Sequence, residues 1–192
     1  EFKKRTSLKS IQEFPADDFY PEIEPLTYDA ELPRASGFDG VVLHGRTRGR
    51  VEKMKATDVD SDIVEVARTA ADLYRRGFGN LSYLMWHSSF GGGHITRAEV
   101  MAIVAVAFGI PSRQIIFSQA RRFGVGGEAL SLAVLCQSNA WARVLAVLPR
   151  DRADEVEEIK QYYLENGIEA EVMLAGRPSG GRREEKAVRG GE

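Results

Sequence analysis

The sequence predicts one α/β domain, a Rossmann-like three-layer fold with a mostly parallel sheet of about five strands. Three observations predict it. Short apolar runs alternate with segments of helical periodicity from residue 38 to residue 174. The inner apolar runs are continuous, as strands buried on both faces require. The chain has 192 residues and 43% hydrophobic content, enough for one domain with a proper core.

Each element follows in chain order. Phe38 to Leu43 is a short apolar run, a buried strand by its length. Asp62 to Arg76 has helical spacing through Ile63, Val66, Ala67, Ala70, Leu73 and Tyr74. Asp62 with Glu65 fits a capping box, and Gly77 fits the C-cap. Leu81 to Trp86 is the second strand. Thr96 to Phe108 is the second helix, opened by the Thr96/Glu99 spacing and stopped by Gly109 and Pro111. Arg113 to Phe117 is the third strand and Glu128 to Asn139 the third helix. Arg143 to Leu148 is the fourth strand, almost wholly apolar. Asp154 to Asn166 is the fourth helix, ended by Gly167, and Glu169 to Leu174 is the fifth strand. Strands alternating with helices demand crossover connections, hence a parallel sheet covered on both faces.

The ends differ from this body. Four of the seven prolines, Pro15, Pro21, Pro25 and Pro33, fall in residues 1–36, interleaved with acids and aromatics. That composition predicts an extended arm lying on the domain, with a disordered leader as the alternative. Residues 176–192 are rich in Gly, Arg and Glu and read as a disordered tail. The α/β domain is then residues 37–175.

Composition excludes several classes. The formal net charge is -2 and the isoelectric point is near 6.0, which argues against a dedicated nucleic-acid binder. The one cysteine, Cys136, allows no internal disulfide and no cysteine zinc cluster, and its apolar neighbours predict a small buried hydrophobe. The longest apolar stretch, Val100 to Phe108, falls far short of the roughly 18 to 20 residues that cross a bilayer. No signal peptide follows the start Glu1-Phe2-Lys3-Lys4-Arg5. The expectation is a cytoplasmic protein; with no initiator Met, a removed leader or anchor stays open.

In a parallel sheet of this kind, ligands bind outside the carboxyl ends of the strands where the strand order reverses. The loops that matter are therefore residues 44–60, 87–95, 118–127 and 149–153. All three histidines, His44, His87 and His94, fall on the first two. They suit ligand contact or loop capping better than metal, because the usual tight metal spacings are absent; Asp58, Asp60 or Asp62 would have to complete a metal site. Ser88, Ser89 and Phe90 lead into Gly91, Gly92 and Gly93, between a strand and a helix. There the backbone can approach a ligand closely, and the helix start favours an anion. The run is neither a P-loop, nor the dinucleotide fingerprint, nor a nucleophile elbow, and a plain turn is the alternative. Arg121 and Arg122 add guanidinium groups suited to carboxylates and phosphates, with a solvated loop as the alternative. Asp58, Asp60 and Asp62 resemble a calcium loop only in part, since Ile63 and Thr69 stand where Gly and Glu are needed.

The order of parts over residues 39–172 resembles the YdcF-like family of bacterial proteins. The resemblance is carried by Asp39-Gly40-Val41-Val42-Leu43-His44-Gly45 and by Ala71-Asp72-Leu73-Tyr74-Arg75-Arg76-Gly77. It continues through Glu99-Val100-Met101, Gly109-Ile110-Pro111, Ile115-Ile116, Arg152-Ala153 and Gly167-Ile168. Two departures stand out. Val125-Gly126-Gly127-Glu128-Ala129 keeps only the Glu of an expected Asn-Thr-x-Glu-Asn phrase, and Pro149 replaces an expected His. The resemblance implies a Rossmann-like fold, and implies S-adenosylmethionine or a nucleotide as candidate cofactors.

Three functions compete. The first is a YdcF-like small-molecule-binding protein or enzyme with a small anionic or zwitterionic ligand. His44, Gly45, His87, Ser88, Gly91, Gly92, Gly93, His94, Glu99, Arg121 and Glu128 would line its site. The second is an interaction or structural protein with a degenerate site, its arm and tail docking on a partner or a second copy of the chain. The third is a histidine-dependent metallohydrolase.

Overall fold

The computed structural model describes residues 26–45, 61–85, 97–117 and 124–178. It contains the α/β architecture that the alternation predicts. The strands are β1 (Leu26–Thr27), β2 (Gly40–Leu43), β3 (Ser82–Met85), β4 (Ile115–Phe117), β5 (Arg143–Leu148), β6 (Glu169–Leu174) and β7 (Arg177–Pro178). The helices are α1 (Ser61–Leu73), α2 (Arg97–Ala107), α3 (Gly124–Ser138) and α4 (Val156–Glu165). Five strands form one sheet in the order β4-β3-β2-β5-β6, every neighbouring pair parallel. Residues 38–43 and 113–117 shorten to four-residue β2 and three-residue β4, while β5 and β6 match their expected bounds.

Alternate residues of each strand supply the two faces. Val41, Leu43, Tyr83, Met85, Leu145 and Val147 meet α1 and α2 on one side. Val42, Leu84, Val144, Ala146 and Leu148 meet α3 and α4 on the other. Burying a side chain of this size stabilises by roughly 1.5–3 kcal/mol, so a strand that feeds two cores is held twice. Ile116 is only partly buried; among the described residues β4 has a strand neighbour on one side only.

The sheet's amino edge is pinned by Asp39. Its carboxylate accepts from the amides of Ala142 (2.7 Å) and Arg143 (2.9 Å). Those two bonds hold its carboxyl below the usual carboxylate range.

Helix boundaries shift from the sequence expectation for local reasons. α1 starts at Ser61, so Asp62 sits inside the first turn, where its charge favours the helix end, and not at the cap. After Leu73 the chain makes one wider turn, Tyr74–Phe78, and leaves the helix at Gly77, whose φ of 110° favours glycine. α3 starts at Gly124, four residues before the expected Glu128, despite the low helix propensity of its glycines. Arg150–Glu155 forms a 3-10 segment ahead of α4, where the sequence predicts helix from Asp154.

The last part of the arm, from Leu26, lies on the domain. The tail boundary at residue 176 moves as well: Gly176 is buried, and Arg177–Pro178 pairs antiparallel with Leu26–Thr27 in a separate two-stranded sheet. No helix among the described residues is long and apolar enough to cross a membrane.

Candidate functional site

The strand order reverses at β2. The chain runs outward from β2 through β3 to β4, and α3 then carries it back to β5 on the other side of β2. The switch point therefore lies where the carboxyl ends of β2 and β5 meet. There the His44 amide donates to the Val147 carbonyl at 2.9 Å.

A buried ionic network occupies this point. It joins His44 and Gly45 from the end of β2, Glu128 from α3, Arg152 and Glu155 from the 3-10 segment after β5, and Tyr163 from α4. His44, Glu128, Arg152, Glu155 and Tyr163 are all at most 2% exposed. Arg152 Nη1 donates to Glu128 Oε2 at 2.6 Å and also to the Gly45 carbonyl. Arg152 Nε donates to Glu155 Oε2 at 2.6 Å. The Gly45 amide donates to Glu128 Oε1 at 3.2 Å. Both peptide groups of one glycine are thus gripped by the two halves of one ion pair.

His44 completes the network on its α4 side. Its Nε2 lies 3.1 Å from the Tyr163 hydroxyl, and the two rings meet edge-on with centroids 5.9 Å apart. Nδ1 lies 3.3 Å from Glu128 Oε2, within ion-pair reach but off the direction of a hydrogen bond. Burial pushes the Tyr163 hydroxyl well above its ordinary range, with Cys136 and Glu128 adding to the shift. Tyr163 therefore keeps its proton, and its hydroxyl stands opposite Nε2. Burial would raise the Glu128 carboxyl, but His44 and then Arg152 outweigh it and hold it below the ordinary range. Arg152 is moved the other way: burial disfavours its charge, and Glu128 and Glu155 more than restore it.

Chemically this is a carboxylate–imidazole–hydroxyl chain fastened to a guanidinium. The order resembles that of orienting triads, but Nε2 faces Tyr163 inside the protein. Both ring nitrogens of His44 face groups inside the protein. Arg152 Nη2, like His44 Nδ1, is buried with no hydrogen-bond partner among the described residues.

Of the residues singled out by the sequence, His44, Gly45 and Glu128 are brought together. Glu99 sits half-buried in the first turn of α2, and the Met101 methyl, one half-turn on, lies 3.9 Å from where a Gly45 Cβ would stand. His87, Ser88, Gly91, Gly92, Gly93, His94 and Arg121 lie outside the described residues. Among the described residues no group of three or more His, Cys, Asp or Glu side chains is placed to hold a metal ion.

Sequence reasoning passed over Arg152, Glu155 and Tyr163 as site residues. Arg152 carried a signal: it stands four residues beyond the most apolar strand, in a loop at the carboxyl edge. Tyr163 carried none, since at helical spacing from Ile159 it reads as core. A shallow cleft of about 350 Å³ lined by Tyr74, Arg75, Gly109 and Pro111 opens elsewhere. It lies towards the amino edge of the sheet, and its Arg75 is exposed and donates to the Phe108 carbonyl. The switch point, where buried charge converges, is the stronger site. Compared with family models, curated proteins and solved structures, the chain matches none.

Proposed function

We propose that this chain is a YdcF-like small-molecule-binding protein or enzyme whose ligand, nucleotide-like or otherwise anionic, seats at the carboxyl edge between β2 and β5. One observation supports the reading above others: a fully buried Glu128–Arg152 ion pair stands at the switch point and grips the turn after β2. Taking two charges out of water costs several kcal/mol each, and a hydrophobic pair would often be as stable. Its location, where such folds take ligands, gives it a purpose beyond stability. Arg152 Nη2 supplies a donor for an acceptor group of the ligand.

A second reading is an interaction protein with a degenerate site. It is favoured by the engagement of His44 Nε2 and of both Gly45 peptide groups inside the protein.

Thermal shift of the full chain against S-adenosylmethionine, ATP and AMP separates the two. A ligand at 100 times its Kd stabilises by about 2.7 kcal/mol, a rise of roughly 5–10 °C at this size. Arg152→Met should weaken that ligand at least tenfold by calorimetry. If none of the three raises Tm, and metal analysis of the purified protein is blank, the degenerate-site reading replaces the first.

A further inference from the structure

We propose that segments 26–29 and 175–178 form a strap that controls the 3-10 segment carrying Arg152, so that docking of the strap sets how firmly the switch-point network is held; as a control on function, this rests on the reading of that network as the working site.

The strap has two anchors on α1. The Tyr28 hydroxyl donates to Asp72 Oδ2 at 2.6 Å. Asp72 also pairs with Arg76 Nε at 2.8 Å, and the Arg76 guanidinium lies 5.7 Å from the Tyr28 ring centre. The Gly176 amide donates to Thr69 Oγ1 at 2.9 Å. Gly176 also fits only because it has no side chain: a Cβ there would stand 2.9 Å from the Tyr28 ring and 3.0 Å from the Leu26 side chain. The two chain segments are thus mutually dependent, and one added methyl group disturbs both.

The strap also reaches the site. Asp29 Oδ2 accepts from Arg150 Nη1 at 2.6 Å, and Arg150 Nε lies 3.8 Å from Glu65 Oε1. Arg150 opens the 3-10 segment, two residues before Arg152. A side chain that binds the strap and a side chain that binds Gly45 and Glu128 therefore leave from the same turn.

Finally, the strand pairing inside the strap is short and its ion pair with Arg150 is exposed on the Asp29 side. Its strands pair over two residues each and stand apart from the main sheet, and isolated two-stranded pairings are marginal in water. Asp29 is 64% exposed, so its ion pair is weak and screened by salt. Elements of this kind open first in native-state fluctuations.

Amide hydrogen exchange on the full chain, with no ligand present, tests the coupling. Gly176→Val is expected to speed exchange over residues 26–28, over 150–155 and at Gly45 by about tenfold or more, with the β3 and β4 amides near parental rates. Asp29→Ala, which leaves the strand pairing and the network untouched, is expected to speed 150–155 while 26–28 keep their rates. Parental rates over 150–155 in Asp29→Ala overturn the proposal, whether or not Gly176→Val folds. Because no ligand enters the measurement, failure to find a ligand bears on the previous reading alone, and failure of the coupling leaves that reading standing.

Discussion

Glu128 and Cys136 show how one helix treats two titratable side chains differently. Both face the same core from α3. Glu128 is held ionised there by His44 and by Arg152, whose Nη1 stands 2.6 Å away, although burial opposes it. A depressed carboxyl stabilises the native state fully above its unfolded pKa, about 4.3, and loses that contribution as pH falls through the folded value. Glu128→Gln should therefore cost about 3–5 kcal/mol at neutral pH, the usual effect of stranding one buried partner. That deficit should shrink in urea melts as pH is lowered below about 4.3. A deficit that stays constant from pH 7 to pH 3 would mean the pair is not the source. Cys136 has no such partner among the described residues, and burial pushes its thiol up to about 12. It should resist a thiol reagent in the native protein and react fully in denaturant; native labelling at the free-thiol rate would contradict its placement.

At the scale of elements, the joint between β2 and the residues before β5 is a close one. A Cβ on Gly40 would stand 2.5 Å from the Trp141 ring. The ring covers the start of β2 so closely that only glycine fits. Gly40→Ala should cost about 1–3 kcal/mol, the range for overpacking, and should shift the tryptophan emission as Trp141 moves outward. Unchanged stability and emission would show that the ring moves aside freely. Neither the glycine nor the tryptophan announces this contact in the sequence, where Gly40 reads as part of an apolar run and Trp141 as part of a turn. The same limit applies to α3. Its Gly124, Gly126 and Gly127 argue locally for a loop, yet the helix runs through them against a propensity cost of about 1 kcal/mol per glycine.

Over the whole molecule, two cores share one sheet, and several contacts of the candidate site and of the strap cross between distant parts of the chain. His44 meets Tyr163 across 119 residues, Gly45 meets Arg152 across 107, and Thr27 meets Arg177 across 150. The alternation of strands and helices, the parallel sheet and the two-sided burial of β5 were all legible from the sequence alone. So were His44, Gly45 and Glu128 as residues of interest. These features depend on repeats a few residues long, since backbone hydrogen bonding and side-chain periodicity act within each element. The strand order, the partners of Glu128, the burial of Tyr163 beside His44 and the pairing of Leu26–Thr27 with Arg177–Pro178 were decided only by the tertiary structure. A buried charge takes as its partner whichever opposite charge the crossovers bring within reach, and no local pattern records which side chain that is.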